Sequence, residues 1–441
     1  MRDIDVLYFY EHVDRELDVA CAVKAVAEQQ FGLTVEIEQH PYGELLSDLT
    51  RFRPRIVALP NLYNSNVPYA LEWPNAICVN LMWEQIFYRG NAKAKLPRGE
   101  FALKHVWHHA WGDFSRRQLR EQGVPETHIF LNGNPTYILY ADPYRRYYDH
   151  RAVLAEKYNL DPSRRWVFFP ENYNWAFYND AQLQLFVDGG QSLDDVQQMR
   201  AFCTVSLSRV AEWCRSLASE GEVELIIRPR PGTALDMFRN TMEQFIPQMP
   251  ERLHIIKGES IREWIVASDV VISSYSTSLI EAAVANKPVY MLEPVALPEQ
   301  IHMAWHDLTP RLRTEDEFRG ACLSEKYGDI RLRDWGRATM MPHGDPIQGL
   351  AKFFYQLIKG ELRRPPRFGH ESLDLPPAFG LPQPFLFEYH KLYRVYQRAR
   401  RALTKTKVIP NYNYEKDVIA VEQIRHRSER WREVVATGAE R

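Results

Sequence analysis

Two short stretches carry side chains whose types and spacing suit the handling of a phosphate. The first is Ala267-Ser-Asp-Val-Val-Ile-Ser-Ser-Tyr-Ser-Thr-Ser-Leu-Ile-Glu281, in which Ser273, Ser274, Ser276, Thr277 and Ser278 place five small hydroxyls within six residues. β-Branched Val270 to Ile272 read as a buried strand, and a helix is expected from about Thr277 to Ala285. A strand tip meeting a helix start offers free N–H groups and a positive dipole end, so Ser274, Ser276, Thr277 and Ser278 would hold a phosphate. Glu281, one turn on, would accept hydrogen bonds from ribose hydroxyls. The plain alternative is an ordinary N-cap. The second stretch is Leu225-Ile-Ile-Arg-Pro-Arg-Pro-Gly-Thr233. It delivers Arg228 and Arg230 to the end of a buried strand, where guanidinium groups pair with phosphate or carboxylate. Asp236 follows in the first turn of the next expected helix, where the dipole favours its charge; it reads equally well as a surface residue complementing that dipole.

Two further stretches combine acids with aromatic rings. Phe168-Phe-Pro-Glu-Asn-Tyr-Asn-Trp-Ala-Phe177 follows a strand and holds Glu171, Asn172 and Tyr173. A carboxyl group among Tyr and Trp in an apolar pocket has a raised pKa, as acid–base work needs, whereas a solvated loop Glu does not. Asn80-Leu-Met-Trp-Glu-Gln-Ile-Phe-Tyr88 ends another strand, and Trp83 would offer a sugar-stacking plate and Glu84 an acid or base. A core Trp beside a surface Glu is the alternative. His105, His108 and His109 lack accompanying carboxylates or cysteines at ligand spacing, so no metal site is expected.

These residues need strands to carry them. Strands are expected over 6–10, 34–38, 55–60, 76–81 and 129–131, with helices over 18–30 and 114–122. A second alternation runs through strands 166–169, 224–227, 254–256, 270–272 and 289–292, with helices over 197–220, 233–245 and 261–267. Such a βαβ rhythm means parallel sheets with helices on both faces. The fold class is therefore α/β, two Rossmann-like domains facing a cleft, with a C-terminal helical tail. The expected boundaries are 1–150 for an N-terminal acceptor domain, 160–360 for a nucleotide-sugar domain, 361–388 for a proline-rich connector and 389–441 for a basic helical tail. Within the tail, 389–407 reads as a basic amphipathic helix. It would lie on an anionic membrane surface, or else show a solvated face while packing back on the first domain.

Composition sets the outer limits. The 441 residues are 45% hydrophobic and 25% charged, ordinary for a globular protein of two domains. A net charge of -2 argues against a general nucleic-acid binder. The five cysteines are scattered without CxxC pairing, which speaks against a disulfide framework or a zinc site. No apolar h-region follows the first residues and no run is long enough to span a bilayer, so a cytoplasmic location is expected, with peripheral contact at the inner membrane through the tail.

Together, Ile227-Arg-Pro-Arg-Pro-Gly and Ser268-Asp-Val-Val-Ile-Ser-Ser-Tyr-Ser-Thr-Ser-Leu-Ile-Glu-Ala resemble the second domain of GT-B glycosyltransferases of bacterial surface carbohydrate synthesis. In the first domain, Asn80-Leu-Met-Trp-Glu-Gln85, Trp111-Gly-Asp-Phe-Ser115, Gly123-Val-Pro125 and Gly133-Asn-Pro135 are similar to capsule and O-antigen biosynthesis proteins of that group. The resemblance spans about residues 1–360 and is nearest to retaining β-Kdo transferases, which use CMP-activated Kdo, an eight-carbon acidic sugar. It implies a metal-independent enzyme with no cofactor beyond the nucleotide-sugar donor and with a glycan or lipid-linked glycan acceptor. Related CMP-sugar enzymes carry a His-Pro pair where this chain has Arg228-Pro229 or Arg230-Pro231, so the nucleotide base is left open. By position, the resemblance makes Glu171 the acid–base or donor-orienting group and Asp236 the candidate nucleophile, with Glu84 a competitor for either role and Tyr173, Asn172 and Trp83 lining the sugar or acceptor site. The alternatives are a UDP-sugar or CDP-polyol transferase, a nucleotide-sugar 2-epimerase, and a non-catalytic polysaccharide-assembly subunit.

Overall fold

A computed structural model describes residues 2–40, 51–62, 72–88, 95–148, 150–188, 190–325, 329–367 and 419–439. The basic stretch 389–407 and most of the proline-rich connector lie outside them. The chain divides into two compact units. Unit 1 comprises 1–87, 91–144 and 339–441, and unit 2 comprises 88–90 and 145–338.

Unit 1 is built on six parallel strands. They are β1 (Arg2–Tyr10), β2 (Val35–Gln39), β3 (Phe52–Leu59), β4 (Ile77–Asn80), β5 (Val106–Ala110) and β6 (Ile129–Leu131), in the order β2-β1-β3-β4-β5-β6. β1, β3 and β4 end in unbroken buried runs because both faces are covered there, whereas the edge strand β2 alternates apolar with polar residues. Sequence periodicity found five of them and missed β5. Its residues Val106-Trp-His-His-Ala110 are buried throughout, and the two histidines are sheet residues rather than ligands. His108 bonds to the Ala102 carbonyl (2.8 Å) and the Asn80 amide (3.1 Å), and His109 to the Leu81 carbonyl (3.1 Å) and the Asn132 amide (3.2 Å). Burial holds both imidazoles neutral, with pKa values of about 4.

Unit 2 repeats the theme with β7 (Arg165–Pro170), β8 (Val223–Arg228), β9 (Leu253–Ile255), β10 (Val270–Ser273), β11 (Val289–Leu292) and β12 (Arg311–Leu312). All pair in parallel, in the order β12-β11-β10-β7-β8-β9. Numbered within the unit this is 3-2-1-4-5-6 read from the β9 edge, the doubly wound order of Rossmann sheets. Its largest helix, Leu193–Ser219, starts at Ser192, whose side chain accepts from the Asp195 N–H at 3.0 Å. Val196, Met199, Cys203, Val210, Cys214 and Leu217 recur at helical spacing and bury one face in the core.

The sequence reading carries the second domain to residue 360, but the packing changes earlier. Helix α1 of unit 1 (Asp18–Phe31) lies against both Pro346–Lys359 and Val421–Ala439. Phe353 stacks on Phe130 (4.2 Å between centroids), and Trp431, wholly buried, sits 6.2 Å from Tyr144. The returning chain is seated by the glycines that carried the first-domain resemblance. A Cβ on Gly112 would come within 2.2 Å of the Thr339 carbonyl oxygen. Gly133, at φ +121, would place one 2.9 Å from Pro346 Cγ, and the Asn134 N–H donates to the Met340 carbonyl at 2.5 Å. These motifs are packing devices. Among the described residues no helix is long and apolar enough to cross a membrane.

Gly133→Ala combines a disfavoured backbone with a clash and should destabilise unit 1 by about 1–3 kcal/mol, read as a lower urea midpoint. Gly32→Ala meets open space and carries only the backbone strain of φ +64, so its loss should be smaller.

Candidate functional site

In open parallel sheets, ligands bind beyond the carboxyl ends of the strands where the strand order reverses. In unit 2 that point falls between β7 and β10. The two strands are in register through Val167–Val270 and Phe168–Val271, and the Ser273 hydroxyl donates to the Pro170 carbonyl at 2.5 Å. The next residues are Glu171 on one strand and Ser274 on the other. From the other side of β7, the Glu171 N–H donates to the Arg228 carbonyl at 2.9 Å.

Glu171 is 3% exposed. Its Oε1 accepts the Tyr173 N–H, while Oε2 is buried with no partner. Burial pushes its pKa up to about 7, against the opposing pull of the Tyr173 N–H and Arg230. Arg230 is half-buried, and its side chain makes no hydrogen bond or ion pair among the described residues. The Ser274 hydroxyl is likewise buried and without a partner. Buried polar groups are nearly always paired, so a buried acid oxygen and a buried hydroxyl left unpaired on adjacent strand ends, beside an unengaged guanidinium, need an explanation that a ligand would supply.

The remaining expected residues fall on both sides of this arrangement. Arg228 ends β8. It is 4% exposed and donates to the Glu259 carbonyl at 2.9 Å, holding the turn where Glu259 takes φ 63. Tyr173 has its ring wholly buried in the core between Phe169 and Phe202. Asn172 is half-buried beside Glu171. Of the hydroxyls, Ser278 donates to Ser276 at 2.8 Å, and Thr277 is exposed at the helix start without making a side-chain cap. The helix is Ser278–Val284, only seven residues long, so its dipole is weaker than the sequence suggested and the guanidinium matters more. Glu281 is half-buried in its first turn. Asp236 is exposed in the first turn of helix Leu235–Phe245 and forms no hydrogen bond or ion pair among the described residues.

In unit 1 the strand order reverses between β1 and β3. A cluster missed by the sequence reading sits at these strand ends. Asn61 donates to Glu11 (2.6 Å), Glu16 accepts from the Glu11 N–H (2.6 Å) and from Arg15 (2.7 and 2.9 Å), and Arg15 bridges to Glu84 (2.8 Å). Lys95 also pairs with Glu84. Glu11 through Leu17 includes one turn of π-helix, Val13–Leu17, and charges directly after an apolar strand were the available signal. Burial alone would raise the Glu84 carboxyl, but Arg15 and Lys95 outweigh it and hold its pKa at about 2. That removes Glu84 as a proton donor. Burial and the neighbouring Glu16 instead push Glu11 up to about 7. Trp83 is 5% exposed, a core ring rather than a stacking plate.

No family model and no curated protein matches the sequence. Solved structures do match. The wall teichoic acid polymerase TagF aligns with a TM-score of 0.54 at 10% identity, covering 82% of this chain and 90% of its own. The chain has a GT-B-like fold. A putative UDP-N-acetylglucosamine 2-epimerase from Listeria monocytogenes gives 0.52 at 13% identity over 84% of this chain and 100% of its own, and another UDP-N-acetylglucosamine 2-epimerase gives 0.52 at 12%. At such identities the likeness is one of fold.

The two carboxyl groups of unit 1 shift in opposite directions, and so should their effects on stability. Glu84 has a folded pKa below its ordinary 4.5, so its ion pairs contribute fully above that pH and are lost as pH falls toward about 2. Glu84→Gln should lower the Tm at pH 7, with the difference shrinking below pH 4.5 and closing only as pH falls to about 2. Glu11 is raised, so its stabilising influence fades as pH rises from 4.5 through about 7, and Glu11→Gln should melt above wild type at pH 8.

Proposed function

We propose that the protein is a glycosyltransferase that takes its sugar from a nucleotide-sugar donor held at the carboxyl edge of the second sheet. The carrying observation is the pair of unpartnered buried groups, Glu171 Oε2 and the Ser274 hydroxyl, beside the unengaged Arg230. The departing phosphate would be stabilised by Arg230 and the hydroxyls of Ser274, Ser276, Thr277 and Ser278, through preorganised donors aimed at developing charge. No divalent ion enters this mechanism. Glu281 would address the ribose. Arg228 supports the site from beneath.

Within this reading the donor is CMP-Kdo, whose sugar carries a carboxylate that an arginine and a protonated acid suit. Asp236 is the nucleophile: its carboxylate would attack the anomeric carbon as the phosphate leaves, and an acceptor hydroxyl would then displace the enzyme, giving retention. Glu171 manages the proton. The acceptor is a surface polysaccharide or its lipid-linked precursor, met at the cytoplasmic face of the inner membrane.

Incubation with CMP-Kdo followed by intact-protein mass spectrometry should show a Kdo-sized adduct that is absent from Asp236→Ala. Product formation should survive chelation of divalent ions. Adduct-free turnover of a UDP-sugar to its 2-epimer without any acceptor would overturn the transferase reading in favour of an isomerase. Full activity of a Glu171, Glu84 and Asp236 triple variant would point to a non-catalytic role.

A further inference from the structure

The groups at the β7/β10 seam differ in what they can offer an incoming oxygen. Arg230 offers N–H donors and no acceptor, and Ser274 offers a hydroxyl. Glu171 is ambiguous: ionised, its free oxygen could only accept, and it would oppose an anion held by Arg230 in the same place. Protonated, it becomes a third donor. Its Oε1 is already satisfied by the Tyr173 N–H, which leaves the buried, unpartnered Oε2 as the atom that would carry the proton.

We infer that Glu171 receives the donor substrate as a carboxylic acid, its Oε2–H donating to an anionic oxygen that Arg230 and Ser274 also bind, so that nucleotide-sugar affinity depends on pH. This rests on the reading of the site as a nucleotide-sugar site.

The surroundings of Glu171 support this assignment. The flanking strand β8 contributes Arg228, whose carbonyl accepts the Glu171 N–H, and the segment just after it contributes Arg230, whose charge and backbone N–H favour the ionised form. Helix Leu193–Ser219 contributes Cys203, a neutral thiol pushed up to about 12 by burial, with Glu171 adding to the shift. The loop after β10 contributes Ser274 and Tyr275, whose hydroxyl lies 3.5 Å from Cys203 Sγ. Tyr173, one turn of loop away, is held neutral by burial. Arg230 is thus the one cation among these groups that opposes burial, and the balance leaves Glu171 at about 7. An anion bound on Arg230 would cancel that cation and add its own repulsion, so Glu171 would bind its proton more tightly in the complex. Binding would therefore take up a proton when it occurs above neutral pH.

The test is isothermal titration calorimetry of the full chain with CMP-Kdo, CDP-glycerol and UDP-N-acetylglucosamine, whose phosphates are doubly substituted and do not titrate near neutrality. Affinity for whichever binds should be flat below about pH 6 and fall by up to about tenfold per unit above about pH 7. Paired titrations at pH 8 in HEPES and Tris buffers, which differ in ionisation enthalpy, should reveal proton uptake. Glu171→Gln keeps a donor without a titrating proton. It should bind at pH 8 at least as tightly as wild type, with no uptake and a flat pH profile. Equal wild-type affinity at pH 6 and pH 8.5, or a Glu171→Gln variant that remains folded by circular dichroism yet loses binding at every pH, would overturn the inference while leaving a nucleotide-sugar site in place. Failure of all three nucleotides to bind would remove the site reading and the inference together.

Discussion

The candidate site depends on the pairing of β7 with β10. Parallel strands need crossovers, and at this seam the crossover from each strand departs to a different side, so neither covers the gap between their carboxyl ends. The hydrogen bond from Ser273 to the Pro170 carbonyl closes the last rung. One residue further on, each chain has left the ladder, and Glu171 Oε2 and the Ser274 hydroxyl are buried without a partner. The burial of Glu171 follows from the sheet on which it is mounted. Its altered acidity follows in turn from that burial and from a single nearby guanidinium.

The two units make opposite use of the same topological position. At the reversal in unit 1, the carboxylates of Glu16 and Glu84 are matched by the cations Arg15 and Lys95 through short bonds, and Glu84 is held by both cations. At the reversal in unit 2 the cation is present but uncommitted. A committed ion pair shapes a loop, whereas an uncommitted charge beside unpaired donors leaves a specific vacancy in the bonding pattern.

Much of the architecture was legible in the sequence. Apolar runs bounded by turn residues marked ten of the twelve strands, missing β5 and the two-residue β12, and 129–131, 261–267 and 289–292 coincide with the structure. β5 was hidden because Val106-Trp-His-His-Ala110 lacks the aliphatic run that marked the other strands, and only the Asn80, Asn132 and carbonyl partners across the sheet show that its histidines are core. The site was legible in its residue types and less so in their direction. Arg228 and Arg230 are indistinguishable in sequence, yet one is bonded to Glu259 and the other remains open. Trp83 read as a stacking plate and Tyr173 as part of a sugar site, but an aromatic next to a catalytic-looking acid is also what a core needs, and both rings are buried. Glu11, Arg15 and Glu16 lacked a motif and become a cluster only when β1 and β3 lie side by side.

The seating of the returning chain on Gly112, Gly133 and α1 bears on the order in which the molecule can be made. Unit 1 begins at the amino terminus but is finished by Pro346–Lys359 and by the helix bearing Trp431. A ribosome therefore releases all of unit 2 before the last two helices of unit 1 exist, and translation at about 5–20 residues per second makes that interval many seconds long. During it, the apolar side of α1 that Trp431 later covers has no native cover. The second sheet can complete its fold during synthesis, while the first must wait for the helices that follow it in the chain.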